Sequence, residues 1–450
     1  MRHLQENEAH ASGRRIAVIG AGISGLSAAW LLSRRHHVTL YEKNSWLGGH
    51  ANTVDVDCPE GRIAVDTGFI VFNGRTYPNF TALLEHLGLP YDATDMTFGA
   101  SIDDGRVEYS SHPLGVFGQR RNLVSGRFWQ MLYDIHRFYA HARGLDETSV
   151  DGVSLGQFLE RAAYSRELVE HHVMPMCAAI WSTTPQEIRD YPMRSFLRFF
   201  SSHGLLHMVQ KPVWRTVAGG SRRYVEALLA DMGAGFCTRP AAVQIRRDGG
   251  LATVEDAMGE AHVYTDVVIA SHADEGLRLL VDPSADEHRI LGSFTYTPNR
   301  AVLHDDPALM PRRKAVWASW NYIGSNNASA DAPLCVTYWM NRLQKLGTRR
   351  DLFVTLNPVR APRPDRVIRT FDYTHPLFDA AALSAQQELW RLQGQRNTWF
   401  CGSYFGYGFH EDALQSGLDV AMALGEAPPW PALPSRIAAR PHVPVLEPAQ

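Results

Sequence analysis

The 450-residue chain has little of what marks several specialised protein classes. It has only five cysteines, which lie far apart and form no C-x-x-C pair: Cys58, Cys177, Cys237, Cys335 and Cys401. This odd number and wide spacing argue against a disulfide framework and a zinc site, and favour a reducing, cytoplasmic environment. No apolar run approaches the ~18 residues of a membrane span, and the first 15 residues lack the apolar core of a secretory signal.

The chain also lacks an excess of charge of either sign. Its 44 Lys and Arg residues nearly balance its 47 Asp and Glu residues, for a formal net charge of -3. Non-specific binding to nucleic acid needs a basic surplus, so we expect no nucleic-acid partner. The sequence has no P-loop, no H-E-x-x-H and no G-x-S-x-G with triad partners, so we expect no catalytic metal.

The N-terminal region has the pattern of a dinucleotide-binding βαβ unit. The strand, helix and strand predicted from the apolar pattern are Ile16–Ile19, Leu26–Arg34 and His37–Glu42. A G-x-G-x-x-G motif joins the first strand to the helix, with its glycines at Gly20, Gly22 and Gly25. These glycines allow a tight turn, a close approach of a pyrophosphate, and helix–strand packing. Glu42 follows at about the spacing of an acid that accepts hydrogen bonds from ribose hydroxyls.

Six sequence blocks, in order, resemble the flavin amine oxidase and phytoene desaturase superfamily. They are Glu42–His50 (E-x-x-x-x-x-G-G-H), Asp66–Gly68, Gly219–Gly220, Asp266–Ala270, Phe400–Gly402 and Ala413–Gly417. Two longer stretches, Asp66–Asn73 and Tyr404–Asp412, resemble a bacterial group of FAD-dependent oxidoreductases that is similar to the flavoprotein half of plant cyclopropane fatty acid synthases. The resemblance implies non-covalently bound FAD and, by analogy, a lipid acyl chain as substrate.

The fold class that follows is α/β, a Rossmann-like FAD-binding domain of the amine-oxidase (GR2) type with an inserted α+β substrate domain. The expected FAD-binding domain is discontinuous and comprises residues 14–76, 216–291 and 396–427. The expected substrate domain comprises residues 77–215 and 292–395, and residues 428–450 form an irregular tail.

The resemblance also implies a set of cofactor-binding residues. Around the pyrophosphate and adenosine they are Gly20, Gly22, Gly25, Glu42, Lys43, Gly48, Gly49, Gly68 and Val243, and toward the flavin they are Gly402, Ala413 and Leu414. His50 stands where the family usually has an arginine. Because histidine is charged only below a pKa near 6.5, this predicts a weaker or pH-dependent phosphate contact. A neutral His50 that caps a loop is the alternative.

The candidate catalytic residues lie in the loop that the resemblance brings beside the flavin ring: Tyr404, Tyr407, Phe409 and His410. Phe409 stands at the position of a tyrosine that forms one wall of the amine oxidases' aromatic cage. His410 is the candidate general base, because a histidine pKa can match the operating pH, although a structural role is open. Glu411 and Asp412 are interpreted as acids that cap the last helix.

These observations predict hydride transfer from a fatty acyl chain to flavin N5, with desaturation or double-bond isomerisation as the result. The alternatives are an amine oxidase acting on a C–N bond and a flavin-binding accessory subunit of a lipid methyltransferase. The basic and aromatic stretch Arg120–Arg143 is interpreted either as an amphipathic helix on a membrane surface or as a domain helix with a solvated basic edge. We therefore expect a cytoplasmic protein with a hydrophobic or lipid substrate and a peripheral membrane contact.

Overall fold

A computed structural model describes residues 13–181, 184–207, 212–324 and 335–431, together with 433 and 437. At its centre is a parallel five-stranded sheet, the Rossmann sheet. In spatial order its strands are Phe236–Arg239, His37–Tyr41, Arg15–Ile19, Asp266–Ile269 and Thr398–Phe400. The inner strands are almost continuously apolar and buried, as expected for a parallel sheet that is covered on both faces.

Two helices lie against each other beside the Rossmann sheet. Ile23–Leu32 is buried along its whole length, and the last helix, His410–Ala423, packs on it. A Cβ at Gly417 would overlap the carbonyl oxygen of Ser24, so glycine is what allows this close approach. Three more helices belong to the chain segments around this sheet: Arg222–Asp231, Ala273–Leu279 and Ala285–Leu291.

The second large sheet has seven strands and is mixed. In spatial order they are Val367–Leu377, Thr295–His304, Phe353–Leu356, Cys335–Trp339, Trp320–Gly324, Phe98–Ile102 and Val107–Ser110. Trp320–Gly324 pairs in parallel with Phe98–Ile102, whereas the other pairs are antiparallel. This one parallel pairing joins the two inserted chain segments into a single sheet.

Most of the remaining helices come from the first insertion. They are Pro78–His86, Gly126–Gly144, Leu155–Arg161, Arg166–Leu168, Met174–Trp181, Pro185–Asp190 and Met193–Ser202; Met340–Leu343 and Ala380–Gln386 follow later. A π-helical turn, Val169–Val173, makes one continuous rod of the helices on either side of it. The smaller strands are Thr53–Cys58, Gly61–Asp66, Phe72–Asn73, Tyr91–Ala93, Trp214–Val217, Ala242–Asp248, Leu251–Asp256 and Ala261–Tyr264.

The predicted fold class is confirmed, since a Rossmann-type parallel sheet carries a second, mixed sheet and a helical layer. The five parallel strands come from the three separated segments assigned to the FAD-binding domain. The first helix begins at Ile23 rather than at Leu26, because Gly22 is already its N-cap. In the tail, Trp430 stacks on Trp30 at 5.9 Å, and most later residues lie outside the described part of the chain.

Within the described ranges, no helix combines the length and the apolar character that crossing a membrane would need.

Candidate functional site

A cavity of about 1410 Å³ lies between the Rossmann sheet, the seven-stranded sheet and the helical layer. Pockets for a single small ligand usually measure about 300–1,000 Å³, so this cavity has room for a dinucleotide and a substrate together. One end, the dinucleotide end, is lined by Gly20, Gly22, Glu42, Gly48 and Gly49. The other end, the apolar arm, is lined by Leu132, Ile135, Met176, Ile180, Trp181, Phe199 and Leu205.

The three glycines of the first turn have different surroundings. Gly20 has a φ of +104°, and a Cβ there would lie 3.0 Å from the carbonyl oxygen of Ala270. A Cβ at Gly25 would overlap the carbonyl oxygen of Gly20, so this glycine permits helix–strand packing and does not line the cavity. A Cβ at Gly22 would meet nothing within 4 Å and would extend into the cavity. Gly22 is thus the glycine that leaves room for a ligand.

Glu42 directly follows the strand His37–Tyr41 of the Rossmann sheet and faces the cavity. Its Oε2 accepts a hydrogen bond from the Ala21 N–H at 2.8 Å, and its Oε1 accepts one from the Asn44 N–H at 2.8 Å. The carboxylate is therefore fixed in one orientation at the dinucleotide end. Lys43 lines the cavity beside it, and its ammonium group forms an exposed ion pair with Glu275.

A second glycine turn lies against the first. The Gly48 N–H donates to the Ala21 carbonyl at 2.8 Å, and Gly48 and Gly22 form an isolated β-bridge. Gly48 and Gly49 have φ values of +113° and +58°, which few other residues adopt without strain. The motifs at Gly20–Gly25 and Gly48–Gly49 therefore form a continuous main-chain wall, as the family resemblance implies.

His50 follows this wall as a buried ring. It stacks on Tyr373 with a centroid distance of 4.8 Å, and His375 lies 5.5 Å away. Its Nε2 has no hydrogen-bond partner among the described residues. Burial, and secondarily the neighbouring His375, His272 and His410, lowers the His50 pKa well below its usual value. In the protein without ligand, His50 is thus neutral at physiological pH and does not replace the charge of the family's arginine.

The remaining cofactor candidates divide into two groups. Gly68, Gly402 and Ala413 line the cavity, and so does Val243, which is half-exposed on the strand Ala242–Asp248. Leu414 does not line it: the side chain is fully buried in the core between the first and last helices. The expectation for Leu414 concerns its main chain, which the position of this side chain does not test.

His410 lines the cavity, but its surroundings do not suit a general base. Its ring stacks on Phe69 at 3.7 Å, and its Nε2 lies 2.8 Å from the hydroxyl of the buried Tyr224. Complete burial lowers the His410 pKa to about 3. The expectation that its pKa matches the operating pH is wrong, because this site excludes the water that would stabilise the charged ring.

The other three candidates, Tyr404, Tyr407 and Phe409, all line the cavity. The Tyr404 ring is buried, and its hydroxyl has no hydrogen-bond partner among the described residues. Phe409 stacks on Phe199 at 5.0 Å, and Tyr407 meets the same ring edge-on at 6.1 Å. Phe199 therefore packs between the loop that carries Tyr407 and Phe409 and the apolar arm.

Asp412 and Glu411 both cap helices, but not the same one. Asp412 accepts hydrogen bonds from the Tyr407 and Phe409 N–H groups at 3.1 and 2.9 Å, and so caps its own helix, as predicted. Glu411 accepts hydrogen bonds from the Asn79 and Phe80 N–H groups at 2.8 and 3.0 Å. It therefore caps Pro78–His86, a helix of the first insertion, which the sequence analysis did not foresee.

A buried polar trio in the apolar arm was missed by the sequence analysis. The Tyr109 hydroxyl lies 3.0 Å from His172 Nδ1, and the Tyr139 hydroxyl lies 2.8 Å from His172 Nε2. His172 belongs to the π-helical turn, a local geometry that is frequent at functional sites. Only the fold shows that Tyr109 and Tyr139 are the partners of His172.

The buried Asp66 joins three separated parts of the chain by hydrogen bonds. Its carboxylate accepts hydrogen bonds from the Thr53 hydroxyl at 2.5 Å, the Ser221 N–H at 2.9 Å and the Gln344 side-chain amide at 2.7 Å. Burial raises the Asp66 pKa to about 6, although these donors oppose the shift. The aspartate of the D-x-G block thus fixes Ser221, which follows the glycine pair Gly219–Gly220, and Gln344, which is the C-cap of the helix Met340–Leu343.

One group of described residues has the composition of a metal site. Asp256, Glu260 and His262 lie together on the Leu251–Tyr264 hairpin. Arg239 Nη1 lies 2.7 Å from Glu260 and 3.5 Å from Asp256, so a cation already neutralises these carboxylates. None of the three lines the cavity.

Comparisons with known proteins agree with this architecture. A family model described as an NAD(P)-binding Rossmann-like domain matches residues 18–87. A relative in Mycobacterium tuberculosis, "Putative flavin-containing monoamine oxidase AofH", is 26% identical over 264 residues, 55% of this chain and 54% of that protein. The chain thus spans about half the length of the curated relative that it matches.

Two solved structures share the fold over 92% of this chain and 99% of their own. They are a CLA-producing fatty acid isomerase from P. acnes, with a TM-score of 0.64 and 15% identity, and wild-type putrescine oxidase bound to putrescine, with a TM-score of 0.62 and 14% identity. Cyclohexylamine oxidase from Brevibacterium oxydans has a TM-score of 0.62 at 13% identity and covers the same share of this chain. The chain is thus similar in sequence to a flavin-containing monoamine oxidase over about half of its length, and it shares its fold with the isomerase and the two amine oxidases.

Proposed function

We propose that this protein is an FAD-dependent oxidoreductase that acts on a long hydrophobic substrate, most simply a fatty acyl chain, by desaturation or double-bond isomerisation. The observation that carries the proposal is the apolar arm, which is continuous with the dinucleotide end of the same cavity. A saturated or allylic C–H bond offers no charge for recognition, so its site must be shaped by apolar contact.

The dinucleotide end fits FAD. The space in front of Gly22 is one that a Cβ would fill, and Glu42 presents a fixed carboxylate to ribose hydroxyls. The N-terminus of Ile23–Leu32 begins at Gly22 and contributes a positive dipole end for a pyrophosphate. The flavin-containing relative and the fold neighbours support FAD over a nicotinamide dinucleotide.

The distribution of charge in the cavity favours an uncharged reacting group. Among the described lining residues the carboxylates are Glu42, Glu275 and Asp372. Glu42 and Glu275 belong to the dinucleotide end, and Asp372 is exposed and paired with Arg300. The apolar arm therefore has no carboxylate among its described residues to stabilise a substrate ammonium group.

The described residues suggest how the chain contributes to the reaction. FAD, when bound, supplies the hydride acceptor. Phe199 and Phe409 form an apolar wall that orients a hydrocarbon segment and excludes water. A polar group at one end of the substrate could hydrogen-bond to the polar trio in the apolar arm, which consists of Tyr109, Tyr139 and His172. Neutral His410 stacks on Phe69 as part of the same dry wall.

The second candidate function, oxidation of a C–N bond, is favoured by the monoamine oxidase relative and by the amine oxidases among the fold neighbours. It requires the amine to enter as the neutral base, because the apolar arm would penalise an ammonium group. A non-catalytic flavin-binding subunit is the remaining alternative.

An anaerobic titration of the FAD-loaded protein separates these functions. Oleate or linoleate is added to one sample and a mixture of primary amines to another, while the flavin band near ~450 nm is followed. Bleaching by the fatty acid that reverses in air supports desaturation, and a shifted double bond in the recovered lipid without net bleaching supports isomerisation. Bleaching by amines alone would overturn the proposal, and no chemistry in either sample would favour the accessory subunit.

A further inference from the structure

An apolar surface lies on the outside of the segment that closes the apolar arm. Leu114, Val124 and Tyr133 are 81%, 88% and 62% exposed, and Leu123 and Trp129 are about half exposed. Single exposed apolar residues are common on proteins, but five large ones within residues 114–133 form an unusual concentration. We call this surface, residues 112–133, the docking surface.

The docking surface is held in place by the native structure. Trp129 Nε1 donates a hydrogen bond to the Leu123 carbonyl at 2.9 Å, and the Trp129 ring lies 5.3 Å from Phe117. Phe117 in turn packs on Phe128, which is buried in the helical core. The exposed side chains are therefore presented on a packed base rather than on a free loop.

The charged residues within the docking surface are all basic, and one acid from a neighbouring helix, Glu167, lies 3.8 Å from Arg127. No acidic residue occurs between Glu108 and Asp134, while Arg120, Arg121 and Arg127 are all exposed. The two flanking acids are buried, and each is paired: Glu108 with Arg313 at 2.7 Å and Asp134 with Arg137 at 3.1 Å. The surface thus combines apolar side chains with cations, the combination that binds the headgroup region of an anionic bilayer.

The same segment also lines the cavity from inside. Val116, Leu132 and Ile135 face the apolar arm, whereas Val124 and Tyr133 face solvent. An acyl chain that leaves a bilayer at this surface would be separated from the arm by little more than one layer of side chains. Outer surface and inner lining are therefore two sides of one element, the loop followed by the helix Gly126–Gly144.

We propose that the docking surface binds the protein to the face of an anionic lipid bilayer. The sequence pattern places Phe128, Trp129, Leu132, Ile135 and Tyr139 loosely on one face of this helix. In the structure Phe128, Ile135 and Tyr139 are buried, whereas Trp129 is half exposed. The membrane-facing residues are the loop residues Leu114 and Val124 and the outward positions on the first turns of the helix. This surface does not depend on which reaction occurs in the cavity.

Vesicle co-sedimentation of the FAD-loaded protein tests the proposal. Vesicles of saturated phosphatidylcholine are compared with vesicles that also contain phosphatidylglycerol, at low and high salt. We expect sedimentation with the anionic vesicles, weakened by salt. Arg120→Glu with Arg121→Glu should weaken binding at least tenfold, because each cation near an anionic surface contributes about fivefold.

Val124→Asp should reduce binding by a similar amount, because it removes an inserting side chain and adds a negative charge. Met258→Asp is the matched control, since Met258 is 75% exposed on the distant Leu251–Tyr264 hairpin. Thermal melting of each variant checks that the fold is retained. Equal binding by all variants, or no binding by the parent protein, would overturn the proposal.

A gel-filtration run without lipid gives an independent outcome. If the parent protein is a dimer that Val124→Asp converts to a monomer, the surface is an interface between copies and the membrane proposal is wrong. Because the vesicles hold only saturated chains and no turnover is measured, failure of the proposed reaction would not affect this result.

Discussion

The two ends of the cavity present different parts of the polypeptide to their ligands. At the dinucleotide end the lining is mostly main chain, with Gly22 and Gly49 in contact with each other and Glu42 as the fixed acid. In the apolar arm the lining is side chains from several helices, such as Leu132, Met176 and Phe199. A wall of main chain tolerates few substitutions, whereas a wall of side chains can change its shape without disturbing the other end. Substrate choice can therefore vary on a constant cofactor site.

The largest expected effect comes from placing a methyl group at two glycines of one turn. Gly25→Ala should destabilise the cofactor-free protein by about 1–3 kcal/mol, because the new Cβ overlaps the Gly20 carbonyl oxygen. Gly22→Ala should leave its melting temperature unchanged, because the Cβ meets open space at a φ of -70°, but should weaken FAD binding at least tenfold. Melting followed by circular dichroism, and FAD titration, measure the two effects. Normal FAD affinity in Gly22→Ala would contradict the role assigned to this wall.

The proposal that the apolar arm holds the substrate can be tested by a substitution that fills part of the arm. Leu132→Trp should retain FAD but lower turnover of long acyl chains by about tenfold or more, because the larger ring occupies space that the chain needs. Tyr133→Trp is the matched control, since the adjacent residue faces solvent. Steady-state rates on a series of chain lengths, in soluble form, provide the measurement. Equal rates for both variants would exclude the arm as the substrate site.

The burial of His410 can be tested by measuring how the free energy of unfolding depends on pH. The His410 pKa of about 3 lies below the ordinary 6.5, so the unfolded chain takes up a proton as the pH falls below 6.5 while the folded protein does not. The folded protein therefore keeps its full free energy of unfolding with respect to His410 above pH 6.5. Between pH 6.5 and pH 3 that free energy falls as the pH is lowered, and at pH 5 the loss is about 2 kcal/mol. His410→Gln should remove this part of the pH dependence in urea denaturation of the cofactor-free protein. The same slope in both proteins would contradict the burial argument.

The smallest expected effects come from two buried tyrosine hydroxyls. Tyr139→Phe should lower the free energy of unfolding by about 1 kcal/mol or more, because the hydrogen bond to His172 is lost. Tyr404→Phe should change it by less than about 0.5 kcal/mol, because the Tyr404 hydroxyl has no partner among the described residues. Urea denaturation of both cofactor-free variants compares them directly. A large loss in Tyr404→Phe would reveal a hydrogen bond that this arrangement does not show.

The dinucleotide end could be predicted because most of the residues that form it lie close together in the sequence. A strand, a glycine turn and a helix follow one another between Arg15 and Leu32, and Glu42 directly follows the next strand, so chain spacing alone sets their geometry. The confirmed fold class rests on the same local patterns and on the order of the family-like blocks. The motif also predicts that one of its glycines serves helix–strand packing, and Gly25 does so in the structure.

The apolar arm was not predictable, because non-local contacts create it. Tyr109, Tyr139 and His172 belong to a strand, a helix and a π-helical turn, and no sequence pattern links them. The prediction that Glu411 caps the last helix is wrong, because it accepts its hydrogen bond from Asn79, which lies 332 positions earlier in the chain. The pKa of His410 was mispredicted for a related reason: its burial depends on Phe69 and Tyr224, which only tertiary packing brings to it.

The carboxylate of Glu411 has a further consequence for how a ligand could enter. It ties the first helix of the insertion, Pro78–His86, to the last helix of the Rossmann domain through two main-chain hydrogen bonds in a dry environment. A hinge that swings the two domains apart would have to break these two hydrogen bonds to a buried carboxyl group. We therefore expect a ligand to enter and leave through small side-chain movements in the wall of the cavity. The rate of ligand exchange would then depend on a few side-chain rotamers rather than on a domain motion.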